Sequence, residues 1–295
     1  MDNRPIGFFD SGIGGLTSVV HIMRNLPGEQ IIFYGDTART PYGSKSPDTI
    51  RQFTLQIGDF LVGKGVKMIV IACNTVSSIC LEDLRRRYPQ IPVVGVIAPT
   101  CREIVKRCNT ESRIGILATR VTVKTDAYAK KIRQYEEETL QRNGSLELFQ
   151  EHPGTEHRRM ALFSKACPAL VPLIEEGIID HEIMDLTLRY YLDDFLVENQ
   201  IDTLILGCTH YPLIAENLRR LYPEVRIISS SHEVATAVRM ELESRQLLAD
   251  PGRDRAGEEN VFYASDLSQN FVTMIERILG KEKEALNIRF KNLDI

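Results

Sequence analysis

The chain has 295 residues, enough for two domains of ordinary size. Hydrophobic residues make up 43% of it and charged residues 26%, the proportions of a globular protein rather than a disordered one. The formal net charge of −4 gives no reason to expect nucleic acid or an anionic membrane as a partner. No apolar run approaches the roughly 18 residues of a membrane span, so a membrane protein is not expected.

The N-terminus and the cysteines both favour a cytoplasmic protein. Asp2 and Arg4 precede a short apolar strand, a pattern unlike that of a signal peptide. The six cysteines lie in helix-like and strand-like contexts, which is poor evidence for a disulfide scaffold in a chain of this length. We therefore expect reduced thiols and a cytoplasmic location.

Strands and helices are predicted to alternate through the first hundred residues. Apolar runs predict strands at 6–9, 30–34, 68–72 and 93–96. Amphipathic spacing predicts helices at about 14–26, from Pro47 through Leu61, and from Cys73 to near Pro89. Ser46-Pro47 is a helix start, because proline at the first helical position loses no needed hydrogen bond. This alternation favours a mostly parallel sheet.

The pattern begins again at residue 113, where the sequence RIGILA resembles PIGFFD at 5–10. Further strands are predicted at 147–150, 204–207, 226–229 and 261–263. Further helices are predicted at 126–143, 170–176, 183–198, 232–248 and 271–279. Residues 249–260 have the composition of a loop. We assign no role to the charged segment 128–165 or to the tail from Lys281, whose structural signals are weak.

One strand–turn–helix–strand unit occurs twice in the sequence. The stretch MIVIACNTVSSICLEDLRRRYPQIPVVGVI begins at Met68, and TLILGCTHYPLIAENLRRLYPEVRIISS begins at Thr203. Each copy has an apolar run, a small residue, a cysteine, a nearby threonine, the motif Leu-Arg-Arg-x-Tyr-Pro and a second apolar run. Cys73 and Cys208 therefore occupy equivalent positions. A pseudo-symmetric fold can bring two such thiols to opposite sides of one cleft. That arrangement suits inversion of a carbon stereocentre by two proton-transfer groups.

Polar clusters are predicted at the carboxyl ends of strands, where open α/β sheets bind ligands. The clusters are Asp10-Ser11, Cys73-Asn74-Thr75, Thr119 with Thr122, Cys208-Thr209-His210 and, on a loop, Pro41-Tyr42-Gly43. Their hydroxyls, amide and helix-start N–H groups suit a small carboxylate. A helix N-terminus is expected to lower the pKa of a cysteine there. Asp10 and His210 are the candidate auxiliary groups, one for each cysteine.

Several other motifs do not indicate a site. Gly12-x-Gly14 has Thr17 where a dinucleotide fingerprint needs its third glycine, so no nucleotide cofactor is expected. His152 and His157 flank Pro-Gly, which marks a loop, and their spacing does not suit one helical face. We therefore expect no metal site.

Taken together, these residues resemble the glutamate racemases of the cofactor-independent Asp/Glu racemase family. The matching segments are FFDSGIGGL at 8–16, PYG at 41–43, ACNT at 72–75, GVIAP at 95–99, ACPALVPLIE at 166–175 and GCTHYPL at 207–213. The resemblance implies interconversion of L- and D-glutamate without any cofactor, supplying D-glutamate for peptidoglycan. Ala118 stands where the family more often has glycine.

The resemblance also implies roles for individual residues. Cys73 and Cys208 would be the two acid/base groups, assisted by Asp10 and His210, with Glu175 as a second acidic helper. The residues implied to hold the substrate are Asp10, Ser11, Pro41, Tyr42, Gly43, Asn74, Thr75, Thr119, Thr122, Thr209 and His210.

We expect two pseudo-symmetric α/β domains, each a mostly parallel sheet flanked by helices, with the active site in the cleft between them. Residues 1–98 would form the first domain and 99–210 the second, 211–280 would return to complete the first, and 281–295 would be a charged tail. A homodimer is expected.

Other functions fit the same residues. An aspartate or hydantoin racemase, or a maleate isomerase, would belong to the same superfamily. A hinged amino-acid-binding protein would bind its ligand without turnover. In a redox protein the two thiols would pair as a disulfide.

Overall fold

The computed structural model describes residues 1–142, 159–252 and 259–293. Its ten strands within these ranges are β1 Ile6–Asp10, β2 Ile31–Gly35, β3 Met68–Ile71, β4 Val93–Gly95, β5 Arg113–Ala118, β6 Ala161–Ala166, β7 Thr203–Gly207, β8 Arg226–Ser229, β9 Val261–Ala264 and β10 Asn287–Phe290. The strand predicted at 147–150 and the two histidines His152 and His157 lie outside the described residues.

Helices connect the strands. They are α1 Leu16–Asn25, α2 Pro47–Gly63, α3 Asn74–Arg87, α4 Ile97–Arg107, α5 Arg120–Thr125, α6 Ala127–Arg142, α7 Leu170–Glu175, α8 Glu182–Glu198, α9 Ala215–Leu221, α10 Ser230–Ser244 and α11 Gln269–Leu279. The predicted start of α2 is confirmed: Pro47 opens the helix, and the Ser46 side chain accepts a hydrogen bond from the Thr49 N–H. No helix among the described residues is both long and apolar enough to cross a membrane.

Two parallel sheets form the framework. The first has the strand order β10-β9-β2-β1-β3-β4, and the second has the order β6-β5-β7-β8. All of their pairings are parallel. The segment β2-β1-β3-β4 matches β6-β5-β7-β8 strand for strand. The predicted α/β class with two pseudo-symmetric halves is confirmed.

The repeated topology creates one ligand-binding crevice per sheet. In the first sheet, β2 lies on one side of β1 and β3 lies on the other side. The connections that follow β1 and β3 therefore diverge, and a crevice opens beyond the carboxyl ends of these two strands. Asp10 ends β1 and Cys73 follows β3. The same reversal occurs at β5 and β7, which are followed by Thr119 and Cys208. Both cysteines therefore stand at equivalent crevices.

Helix α10 connects the two halves. It packs against α1 of the first half and against α4, which follows β4. One apolar cluster runs through both halves and includes Leu16 and Val19 of α1 together with Val234 and Val238 of α10. The halves thus share a core, and the cleft lies at the edge of this shared contact.

The strand pairing differs from the predicted division of the chain at two places. β8 lies within the segment 211–280, yet it pairs with β7 in the second sheet, so the chain returns to the first sheet later than residue 211. β10 lies in the tail to which no structure was assigned, and it pairs with β9 at the edge of the first sheet. β6 was also not predicted. Both β6 and β10 are edge strands with incompletely buried residues, so their sequences lack a clear apolar pattern.

A buried ion pair closes the end of the first sheet that faces away from the cleft. Lys67 Nζ lies 2.5 Å from Glu29 Oε2, and the two side chains are 0% and 3% exposed. The same ammonium donates hydrogen bonds to the backbone carbonyls of Asp2, at 2.6 Å, and Leu247, at 2.7 Å. This lysine therefore ties the N-terminus and the end of the α10 segment to the sheet.

We predict that Lys67→Met lowers the free energy of unfolding by about 3–5 kcal/mol, because it leaves the Glu29 carboxylate buried without its partner. Urea denaturation measures the change. Arg86→Met is the matched control, since it breaks a pair with Asp83 in which Arg86 is 75% exposed, and it should cost less than about 1 kcal/mol. Equal small effects of the two substitutions would contradict the prediction.

Candidate active site

A polar pocket lies where the two crevices face each other. The empty volume of this pocket, including the open solvent at its mouth, is about 300 Å³. Its wall consists of Ser11, Thr40, Pro41, Tyr42, Gly43, Cys73, Asn74, Thr75, Thr119, Val171, Cys208, Thr209 and His210. The first half supplies the residues up to Thr75, and the second half supplies the rest. Within residues 1–142, 159–252 and 259–293, no arginine or lysine contributes to this wall.

Cys73 forms the N-cap of α3 and is 4% exposed. Its thiol donates a hydrogen bond to Ser11 Oγ at 3.4 Å. Burial, with the neighbouring charge of Asp10, raises the pKa of Cys73 to about 12. The expectation of a lowered pKa is therefore wrong for this cysteine, because removal from water outweighs the helix N-terminus. Cys73 carries a proton in this arrangement.

Cys208 lies beside a histidine. Its Sγ is 3.9 Å from His210 Nδ1, and His210 Nε2 is 3.0 Å from Glu175 Oε1. Burial alone would lower the pKa of His210. Hydrogen bonds and charge from Cys208 and Glu175 outweigh it and raise that pKa well above its usual value. The imidazole is therefore protonated, and as an imidazolium it stabilises negative charge on the neighbouring sulfur.

Asp10 does not form part of the pocket wall. It is 0% exposed, and its Oδ2 accepts hydrogen bonds from the N–H groups of Gly12, at 3.2 Å, and Gly15, at 3.1 Å. Its Oδ1 accepts one from Thr209 Oγ1 at 3.3 Å. Asp10 thus shapes the loop before α1 and links it to the loop that carries Cys208. Its charge reaches Cys73 without a direct hydrogen bond.

Hydroxyl groups and an amide line the side of the pocket nearest α3 and α5. Thr75 Oγ1 lies 3.0 Å from Thr119 Oγ1, which lies 3.1 Å from Thr122 Oγ1. Asn74 Nδ2 is buried and has no hydrogen-bond partner among the described residues. This unpaired donor suits a carboxylate, as does the helix N-terminus at the start of α3.

Tyr42 contributes its ring rather than its hydroxyl. The hydroxyl donates to Asp36 Oδ2, and Asp36 also accepts hydrogen bonds from Arg39 and Ser265. Burial, together with the charge of Asp36, raises the pKa of Tyr42. Tyr42 therefore holds the loop that presents Gly43, and its proton is not available to a ligand.

Eleven of the fourteen predicted site residues lie on the pocket wall. Asp10, Thr122 and Glu175 lie behind it, in contact with Thr209, Thr119 and His210 respectively. Thr40 and Val171 are on the wall but were not predicted. Thr40 directly precedes the segment PYG at 41–43, and Val171 lies within the segment at 166–175. Their closeness to these family-like segments is the one feature of the sequence that could have indicated them.

The chain is similar to known racemases over nearly its whole length. A family model described as Asp/Glu/Hydantoin racemase matches residues 16–179. The chain is 40% identical to the glutamate racemase of Neisseria gonorrhoeae, over 97% of this chain and 96% of that protein. It is 38% identical to the glutamate racemase of Aquifex aeolicus, over 95% of each. The solved glutamate racemase of Francisella tularensis, in complex with D-glutamate, superposes with a TM-score of 0.84 at 34% identity, covering 100% of this chain and 99% of that one.

We predict that Glu175→Gln lowers the pKa of His210, because the carboxylate favours the protonated imidazole. In the unsubstituted protein the ion pair persists through neutral pH and is lost as the pH rises through the raised pKa. NMR titration of the His210 ring measures both effects. His21, whose pKa is lowered by burial and by nearby His232 and Arg24, is the internal control and should not respond. An unchanged His210 titration would contradict the assignment.

Proposed function

Because the chain belongs to the Asp/Glu/hydantoin racemase family, we propose that it interconverts L- and D-glutamate by a two-cysteine mechanism that uses no cofactor. The observation that carries this proposal is the presence of Cys73 and Cys208, from the two halves of a pseudo-symmetric fold, on the wall of one polar pocket. The curated relatives at 38–40% identity are named glutamate racemases.

The pocket suits a small amino acid with carboxylate groups. Its wall offers the hydroxyl groups of Ser11, Thr40, Thr75, Thr119 and Thr209, the unpaired amide of Asn74 and the start of α3. These groups bind a carboxylate through hydrogen bonds rather than through a fixed arginine. The Francisella tularensis relative holds D-glutamate, and we infer the same substrate class for this chain.

The reaction needs one base and one acid on opposite faces of the α-carbon. In one direction the Cys208 sulfur, as a thiolate beside the His210 imidazolium, takes the α-proton. The electron pair left on the α-carbon delocalises into the substrate carboxylate. Cys73, which holds its proton, delivers that proton to the opposite face and becomes the thiolate. The reverse direction uses Cys73 as the base and Cys208 as the acid.

The biological assignment follows from the product. D-glutamate is a building block of peptidoglycan, so we propose that the protein supplies cell-wall synthesis. The cytoplasmic location and the homodimer stay predictions.

Circular dichroism of the purified protein with candidate substrates distinguishes the alternatives. Loss of the L-glutamate signal with no added cofactor is the result expected. Activity on aspartate or a hydantoin but not on glutamate would assign the chain to another branch of the family. Glutamate binding by calorimetry with no loss of optical signal would indicate a binding protein. Racemisation that persists only under strong reductant, with no reduction of a partner, would count against a redox role.

We predict that Cys73→Ala and Cys208→Ala each lower racemisation by about 10²- to 10⁴-fold, because each removes one of two proton-transfer groups. Elimination from a β-substituted substrate analogue needs only one base, so each variant should still catalyse it. The reactive enantiomer should be the one whose α-proton faces the remaining cysteine. The matched control is Cys80→Ala, since Cys80 is a buried cysteine of α3 away from the pocket wall. Full racemase activity in either catalytic variant would refute the two-thiol scheme.

A further inference from the structure

A tyrosine of the second half reaches across the cleft to a pocket residue of the first. The Tyr128 hydroxyl donates a hydrogen bond of 2.7 Å to Asn74 Oδ1. Both residues are 2% exposed, so water cannot replace this bond if it is lost. Tyr128 is not on the pocket wall, and neither the motifs nor the repeat in the sequence indicates a role for it.

Packing holds the Tyr128 ring in place. Asp126 adopts a left-handed conformation with φ 55° and ends α5, which turns the chain so that Tyr128 falls in the first turn of α6. The Tyr128 carbonyl accepts a hydrogen bond from Cys101 Sγ at 3.7 Å. On the other side, a Cβ at Gly207 would come within 3.1 Å of the Tyr128 ring. The ring therefore touches the strand that leads to Cys208 while its hydroxyl touches Asn74.

The hydrogen bond decides which end of the Asn74 carboxamide is free. An asparagine amide has one acceptor oxygen and one donor NH₂ group. The oxygen accepts from Tyr128, and Nδ2 is buried and unpaired on a residue of the pocket wall. Buried donors are rarely left unsatisfied, so a ligand acceptor is the natural partner for this one. Burial raises the pKa of Tyr128 well above its usual value, so its hydroxyl keeps the proton that it donates.

We propose that Tyr128 is a positioning residue that fixes the Asn74 carboxamide with Nδ2 toward the ligand, where it donates to a substrate carboxylate. The proposal rests on the proposed function for the identity of that ligand. Without the Tyr128 hydroxyl, the amide can rotate and present its oxygen, which repels a carboxylate. Because the two residues belong to different halves, the amide is oriented only when the halves are apposed as they are here.

The kinetic consequence is a loss of substrate binding. The proposal assigns this amide to the side-chain carboxylate, which takes up no charge in the reaction, so the amide contributes equally to the ground state and the transition state. Tyr128→Phe should therefore raise KM for both enantiomers of glutamate about tenfold, the effect of one ordinary hydrogen bond, and leave kcat within about twofold. The ring remains, so the packing against Gly207 is preserved.

A double-mutant cycle separates positioning from a general structural effect. If Tyr128 acts through Asn74, then Tyr128→Phe adds nothing to KM in an Asn74→Ala background. Tyr135→Phe is the matched control, since Tyr135 lies on the same helix but away from the pocket, and it should leave KM unchanged. Multiplicative effects of Tyr128→Phe and Asn74→Ala on KM, or an effect of Tyr135→Phe as large as that of Tyr128→Phe, would overturn the proposal.

An NMR measurement tests the orientation without relying on catalysis. In ligand-free protein labelled with ¹⁵N-asparagine, the Asn74 side-chain amide pair is assigned by its absence in Asn74→Ala. Tyr128→Phe should shift this pair, whereas Tyr135→Phe should not. If the Asn74 amide resonances have the same chemical shifts in Tyr128→Phe as in the unsubstituted protein, the proposal is overturned. If the unsubstituted protein fails to racemise glutamate, the proposed function fails, and the NMR result still decides the role of Tyr128.

Discussion

Hydrogen bonds and close contacts between the two halves hold the opposing walls of the pocket in register. Thr75 bonds to Thr119 at 3.0 Å, and Thr209 bonds to Asp10 at 3.3 Å. A Cβ at Gly43 would lie only 2.6 Å from the Thr119 Cβ, so only glycine permits this approach. Each hydrogen bond contributes about 0.5–1.5 kcal/mol net. Together they fix the spacing that any reaction between opposite faces of a small substrate requires.

The same apposition excludes water. Cys73 is 4% exposed and Cys208 is 5% exposed. A dry site strengthens the interactions that stabilise charge developing on the substrate, and it prevents protons from leaking to solvent. It also raises the pKa of Cys73, so this thiol holds its proton at neutral pH and is present in the form that can deliver one.

The chemistry is asymmetric although the scaffold is nearly symmetric. Cys73 has a neutral hydroxyl, Ser11, as its hydrogen-bond partner, whereas Cys208 has His210, which Glu175 keeps protonated. Enantiomers have equal free energies in water, so this asymmetry cannot change the equilibrium ratio of the two products. It bears instead on the resting protein, in which Cys73 holds its proton.

The sequence predicted the parts of the site that depend on local pattern. Cys73 and Cys208 were identified because a short repeat presents both at strand ends, and the start of α2 was identified from Ser46-Pro47. Tyr128 was missed because its contact with Asn74 joins positions 54 residues apart and depends on the turn at Asp126. The direction of the Cys73 pKa was also missed, since burial is a property of the assembled cleft and not of the helix start.

The deuterium content of glutamate early in the reaction tests the central claim most directly. In heavy water, two separate thiols should place solvent deuterium on the α-carbon of the product, while the remaining substrate keeps its original proton. A single base serving both faces would return deuterium to substrate and product alike. Deuterium in the product alone is the result predicted here, and equal early labelling of both enantiomers would contradict it.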